Sequence, residues 1–165
     1  MLKVFLAEDE IVMREGIKNN IDWQGEGFEF VGDAGDGELA YPIIQKTRPD
    51  ILITDIKMPF MDGLELSELV KKEFPKIKII ILSGYNEFDY AKQPIHIGVT
   101  DYLLKPITAS KLLEAVKKVA DVIEKEREEE GMLERYRLEM AENTVLERRR
   151  LLRELGKGGG ECKGA

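Results

Sequence analysis

The chain has 165 residues and a formal net charge of −7, with 43% hydrophobic and 35% charged side chains, which suits one ordinary domain plus a remainder. Its single cysteine, Cys162, excludes a disulfide framework and a cysteine-based zinc site, and fits a reduced, cytoplasmic setting. No apolar run approaches the ~18 residues of a membrane helix, and the acids directly behind Met1–Leu6 argue against a signal peptide. Residues 1–107 hold 12 basic and 19 acidic side chains, whereas residues 108–165 hold 13 of each. Neither part is the basic surface that a phosphate backbone requires, so nucleic-acid binding by this stretch alone is disfavoured.

Strand and helix patterns alternate through residue 107. Lys3–Ala7 reads as a strand that ends in Glu8-Asp9-Glu10. A helical stretch follows with Ile11, Val12, Ile17 and Ile21 on one side. Phe28–Val31 is a second strand, and Asp36 is a good N-cap for a helix through about Lys46. Pro42 inside that helix should kink it or shift its start. The apolar run Ile51–Thr54 is a third strand of the kind buried on both faces of a parallel sheet. Asp62-Gly63 opens a helix from Leu64 to Phe74, which Pro75 stops, and Ile77–Leu82 is the clearest strand. A helix from about Glu87 to Ile97 contains Pro94 and should be kinked or partly unwound. Gly98 is a natural C-cap, and Asp101–Leu104 is a fifth strand.

Five strands alternating with helices predict an α/β, doubly wound parallel sheet covered on both faces. Residues 108–155 form one long helical pattern. Its first part, with Leu112, Val116, Val119 and Ile123, should pack on the sheet. Residues 123–155 read as a helical linker, with Gly131 a candidate break. A second stripe in that linker, Leu138, Ala141, Val145, Leu152 and Leu155, has Arg148 as its odd member and suits half of a coiled coil or the start of a further domain. Residues 156–165 include five glycines and read as a flexible tail.

Polar residues sit at the predicted strand ends: Glu8 and Asp9 after the first, Asp55 after the third, Ser83 after the fourth and Lys105 after the fifth. In such sheets the ligand crevice lies beyond the carboxyl ends of the strands. Clustered carboxylates repel one another unless a hard cation compensates, and oxygen donors with retained water suit Mg2+. His96, with no acid nearby in sequence, reads as a surface or packing residue, and Trp23 as core.

The segments Val4–Glu10, Ile53–Pro59 with Asp62-Gly63, Ile80–Gly84 and Asp101–Pro106 strongly resemble the receiver domains of two-component response regulators. The resemblance covers residues 1–122 and implies a flavodoxin-like fold with strand order 2-1-3-4-5. It implies that Asp55 is the phosphoacceptor for a sensor histidine kinase, that Asp9, Asp55 and the Lys57 backbone carbonyl ligate Mg2+, and that Glu8 holds the metal through water. Lys105 would pair with Asp55 and then with a phosphoryl oxygen, and Ser83 would donate to another. Tyr102 matches the switch aromatic, and Lys105-Pro106 is expected to be cis. Phosphorylation would then change the face built from the 87–97 helix, the fifth strand and the helix after it. Such a protein is no enzyme in the ordinary sense, but it assists its own phosphorylation and dephosphorylation.

Other readings stay open. A haloacid dehalogenase-type phosphatase needs a second Asp two residues after the nucleophile, where this chain has Lys57. A flavin-binding relative needs a phosphate loop where Glu8-Asp9-Glu10 stands. A phosphorylation-independent interaction module is the remaining alternative. Thr144–Gly156 resembles the linker of regulators with an AraC-type helix-turn-helix output. The expectation is therefore a receiver and the start of a linker from a longer transcription regulator, a homodimer that reaches DNA only through an output domain outside this sequence.

Overall fold

The structure, a computed structural model, describes residues 1–84 and 98–164. The helix expected at 87–97, with Pro94 and His96, lies outside the described residues. In chain order the elements are β1 (Leu2–Ala7), α1 (Ile11–Asn20), β2 (Phe28–Ala34), α2 (Gly37–Thr47), β3 (Ile51–Asp55), α3 (Gly63–Glu73), β4 (Lys78–Ser83), β5 (Asp101–Leu104) and α4 (Ala109–Gly164). The strands form one parallel sheet in the order β2-β1-β3-β4-β5. This is the doubly wound architecture expected, with both sheet faces buried.

The continuous apolar runs are explained by that double burial, because successive strand residues point to opposite faces. Val4, Leu6, Ile51, Ile53, Ile80 and Leu82 meet Ile17 of α1 and Leu112, Val116, Val119 and Ile123 of α4. Phe5, Ala7, Leu52, Ile79 and Ile81 meet Ala40 and Ile44 of α2 and Leu64, Leu66 and Val70 of α3. Trp23 closes the first core at 4% exposure, edge-on to Phe28, with its indole N–H donated to the Ile17 carbonyl at 3.3 Å.

Helix starts follow their caps. Asp36 accepts from the Leu39 N–H at 2.8 Å, and Asp62 from the Glu65 N–H at 2.8 Å. Pro42 lies inside α2 without ending it or moving its start away from Asp36. One expectation for α1 is corrected: Ile11 and Val12 are 66% and 85% exposed and do not join Ile17 and Ile21 in the core. At about 100° per residue they lie roughly 120° or more around the helix from Ile17, away from the face on which Met13, in the same first turn, packs against the core. Gly98 has φ +84, the left-handed geometry a C-cap glycine supplies.

The chain divides into two compact units, Met1–Ile123 and Glu124–Ala165. Within α4, Gly131 does not interrupt the helix, and the helix also takes in residues 156–164, where the glycine content predicts a tail. Glycine costs about 1 kcal/mol in a helix interior but does not remove the backbone hydrogen bond that extends it.

Candidate functional site

The parallel register decides which side chains meet. Ala7 pairs with Thr54, Asp55 with Leu82 and Ser83 with Leu104. The carboxyl ends of β1, β3, β4 and β5 therefore line one rim, which is where the sequence puts its acids, its serine and its lysine.

Lys105 is the centre of the cluster. Its Nζ lies 3.0 Å from Asp55 Oδ2, 3.1 Å from Glu8 Oε2 and 3.3 Å from Glu8 Oε1. Glu8 is fully buried and Asp55 is 4% exposed, whereas Asp9 is open to solvent. Ligand oxygens of Glu8, Asp9 and Asp55 all lie within 4.8 Å of one another. Burial, and then the charge of Asp55, push the Glu8 carboxyl up to about 7 against the opposing pull of Lys105. Burial alone would lower the Lys105 ammonium. The hydrogen bond and charge of Asp55, joined by Glu8, outweigh it and raise its pKa.

This donor set fits Mg2+. It consists of hard carboxylate oxygens from three residues, with one acid exposed so that water can complete the shell. Glu8 Oε2 has the Lys105 ammonium at 3.1 Å and no further hydrogen-bond partner among the described residues, which leaves acceptor capacity for a cation or its water. Lys57 follows Asp55 by two residues, in the β3–α3 loop, with its side chain outward.

Two glycines hold that loop, Gly63 at its end and Gly37 from α2. The Gly63 N–H donates to the Ile56 carbonyl at 2.7 Å, and the Gly37 N–H to Met61 at 3.1 Å. A Cβ on Gly63 would sit 1.7 Å from the Asp55 carbonyl oxygen, so only glycine allows this approach. Ser83 Oγ donates to the Gly84 carbonyl at 3.1 Å and accepts from the Tyr102 hydroxyl at 2.5 Å. The Lys105 N–H donates to the Ser83 carbonyl at 2.6 Å, and Lys105-Pro106 is cis. Glu10 is the N-cap position of α1 and exposed, a solvated acid rather than a member of the cluster.

Sequence reading missed the support beneath Glu8. The Glu8 N–H donates to the Ala34 carbonyl at 2.9 Å. On its other side the Glu8 carbonyl accepts from Arg14 at 2.9 Å, while Arg14 Nε lies 3.1 Å from Asp33. Gly35 leaves room for the guanidinium, since a Cβ there would come within 2.7 Å of it. An arginine in the first turn after the acids was the available signal, but its partner on β2 is not deducible from spacing.

The chain is similar, in sequence and in fold, to several known proteins. The chain is 42% identical to the receiver domain of AraT, a response regulator from Geobacillus stearothermophilus, with TM-score 0.72 over 76% of this chain and 98% of that one. It is 31% identical to a two-component transcriptional regulator AraC from Clostridium phytofermentans, with TM-score 0.68 over 77% and 98%. Among curated proteins it is 40% identical over 119 residues to the transcriptional regulatory protein YesN of Bacillus subtilis, and 34% identical over 119 residues to DegU of Brevibacillus brevis. Those alignments take 72% of this chain but 32% of YesN and 50% of DegU, so the chain spans a third to a half of these relatives. No helix among the described residues is long and apolar enough to cross a membrane. The response regulator receiver domain family matches residues 4–117, and with the fold and the rim cluster this makes the chain a member of that family.

Proposed function

We propose that Asp55 accepts a phosphoryl group from the phosphohistidine of a sensor histidine kinase, in a Mg2+-dependent reaction that switches a transcriptional output. The observation that carries this reading is the Lys105 ammonium 3.0 Å from the Asp55 carboxylate, beside two further acids. A carboxylate oxygen of Asp55 attacks phosphorus. The P–N bond breaks, its electron pair leaves with the imidazole, and an acyl phosphate remains. Asp9, Asp55 and the Lys57 carbonyl would hold the metal, with Glu8 acting through water. The metal supplies positive charge to the phosphoryl oxygens when bound. Lys105 transfers its contact from the carboxylate to a phosphoryl oxygen, and compensates charge that develops in transfer. Ser83 turns its hydroxyl from Gly84 to another phosphoryl oxygen.

That turn couples the site to its surroundings. Ser83 now accepts from Tyr102, so moving the serine hydroxyl removes a partner of the tyrosine hydroxyl. Tyr102 then repacks along β5 and α4, a two-state element biased by a local charge change. The protein is thereby a phosphoacceptor that assists its own chemistry rather than an enzyme acting on other molecules. Its relatives, which include the two-component transcriptional regulator AraC of Clostridium phytofermentans, support an AraC-type output. The whole regulator would be cytoplasmic and homodimeric, and would meet promoter DNA through that output domain, while this stretch alone would not.

Incubation with acetyl phosphate and Mg2+ followed by intact-mass measurement tests the reading. The expected result is one phosphoryl adduct that disappears with chelator and in Asp55→Asn. Absence of any adduct on the native chain would favour the phosphorylation-independent interaction module instead.

A further inference from the structure

The linker carries an apolar row that the receiver chemistry does not use. Leu138, Val145, Leu152 and Leu155 are 58%, 48%, 67% and 71% exposed, and Ala141 and Arg148 are exposed with them. Along the continuous helix α4 these six residues follow one another at alternating steps of three and four. That alternation averages the ~3.5-residue period of a coiled-coil seam, with Leu138, Val145 and Leu152 in one core position and Ala141, Arg148 and Leu155 in the other. Outward positions carry Glu139, Asn143, Glu147 and Arg153, and the Arg150–Glu154 pair at 3.6 Å, with Met140 and Leu146 as apolar exceptions.

We propose that this row is the seam of a parallel, in-register coiled coil formed with a second copy of this chain. The flanks are self-complementary. Arg137 and Glu142 occupy the two edge positions that face each other across a parallel pair, so each copy's arginine meets the other's glutamate. The next edge pair sets Thr144 against Arg149, with no like charges opposed. Direction follows from Arg148. In register and parallel, each residue faces its own counterpart, which confines the arginines to one layer between apolar ones. Antiparallel pairing would set Val145 against Arg148 twice and disrupt the two central layers. A polar core residue of this kind costs affinity but specifies register, and its long side chain can turn its charge outward along the stem. The inference does not rest on the phosphoacceptor reading, since no residue of Met1–Ile123 takes part.

The full chain tests it without phosphorylation, in sedimentation across a concentration series. The native protein is expected to self-associate. Leu152→Asp, which places a charge in the seam, should weaken association by at least about a hundredfold. Arg148→Leu should tighten it roughly tenfold or more. Ala141→Cys, in a chain that also carries Cys162→Ser, reports direction, because position 141 is a core position that faces its own counterpart in the parallel pair and Leu152 in the antiparallel one. In a parallel pair the two thiols lie side by side. Copper(II) phenanthroline takes one electron from each as two protons leave and the sulfur–sulfur bond forms. A disulfide-linked dimer that Leu152→Asp abolishes supports the proposal. A monomeric native chain, association that survives Leu152→Asp, association that Arg148→Leu leaves unchanged, or a dimer that does not cross-link would each overturn it.

Discussion

Replacing Glu8 by glutamine should stabilise the metal-free receiver, and more so as pH rises. Glu8 is fully buried beside Asp55, and its carboxyl titrates at about 7 in the folded protein against an ordinary 4.5. The folded state therefore holds this proton more tightly than the unfolded chain. Between those two values the unfolded state binds fewer protons, so stability falls as pH rises. The loss begins near 4.5 and is complete above 7. A shift of that size corresponds to about 3 kcal/mol, at ~1.4 kcal/mol per pH unit. Glutamine keeps the shape, removes the titration and leaves Lys105 its 3.0 Å contact with Asp55. Urea unfolding followed by Trp23 fluorescence, with chelator present, measures the gap between variant and native chain. The gap should grow from about pH 5 to about pH 8 by as much as ~3 kcal/mol. Added Mg2+ should shrink it, because a cation at the acids stabilises the charged form that glutamine lacks. A gap that stays flat with pH, or closes as pH rises, would refute the electrostatic account of the site.

Three further outcomes follow from single contacts. Gly63→Ala should cost more than ~3 kcal/mol in urea unfolding or prevent folding, since its Cβ would lie 1.7 Å from a backbone oxygen that cannot yield cheaply. Tyr102→Phe should lower unfolding stability by about 1 kcal/mol through loss of the hydrogen bond to Ser83. It should leave Mg2+-dependent labelling by acetyl phosphate intact, because the tyrosine hydroxyl bonds Ser83 and not Asp55. Arg14→Ala should cost about 2 kcal/mol, the range for a charged hydrogen bond to a carbonyl, and should weaken Mg2+ binding in calorimetric titration by loosening the Glu8-Asp9 turn. Unchanged Mg2+ affinity would show that the turn holds without the arginine.

How far the site could be read beforehand depends on which contacts are local. Strands announce themselves by apolar runs, and a polar residue closing such a run is visible at once, as Glu8, Asp55, Ser83 and Lys105 are. The fold class followed from strand–helix alternation, and the strand order from family resemblance alone. Register is different. That Asp55 pairs with Leu82 while Ser83 pairs with Leu104 depends on how β3, β4 and β5 slide against one another. Only that alignment places the Lys105 ammonium between Asp55 and Glu8. The seat of Arg14 is equally nonlocal, since it needs Asp33 and the empty space over Gly35 brought under the first turn of α1.

The correction to α1 has a different and local origin. At about 100° per residue, Ile11 and Val12 lie roughly 120° or more around the helix from Ile17, so a tally of apolar residues overstates the buried face where their angular positions do not. The packed face runs through Met13 and Ile17, and Met13 reaches the core from the same first turn that leaves Ile11 and Val12 to solvent. Which way a side chain faces, and not how far the helix extends past the strand, therefore decides its burial here.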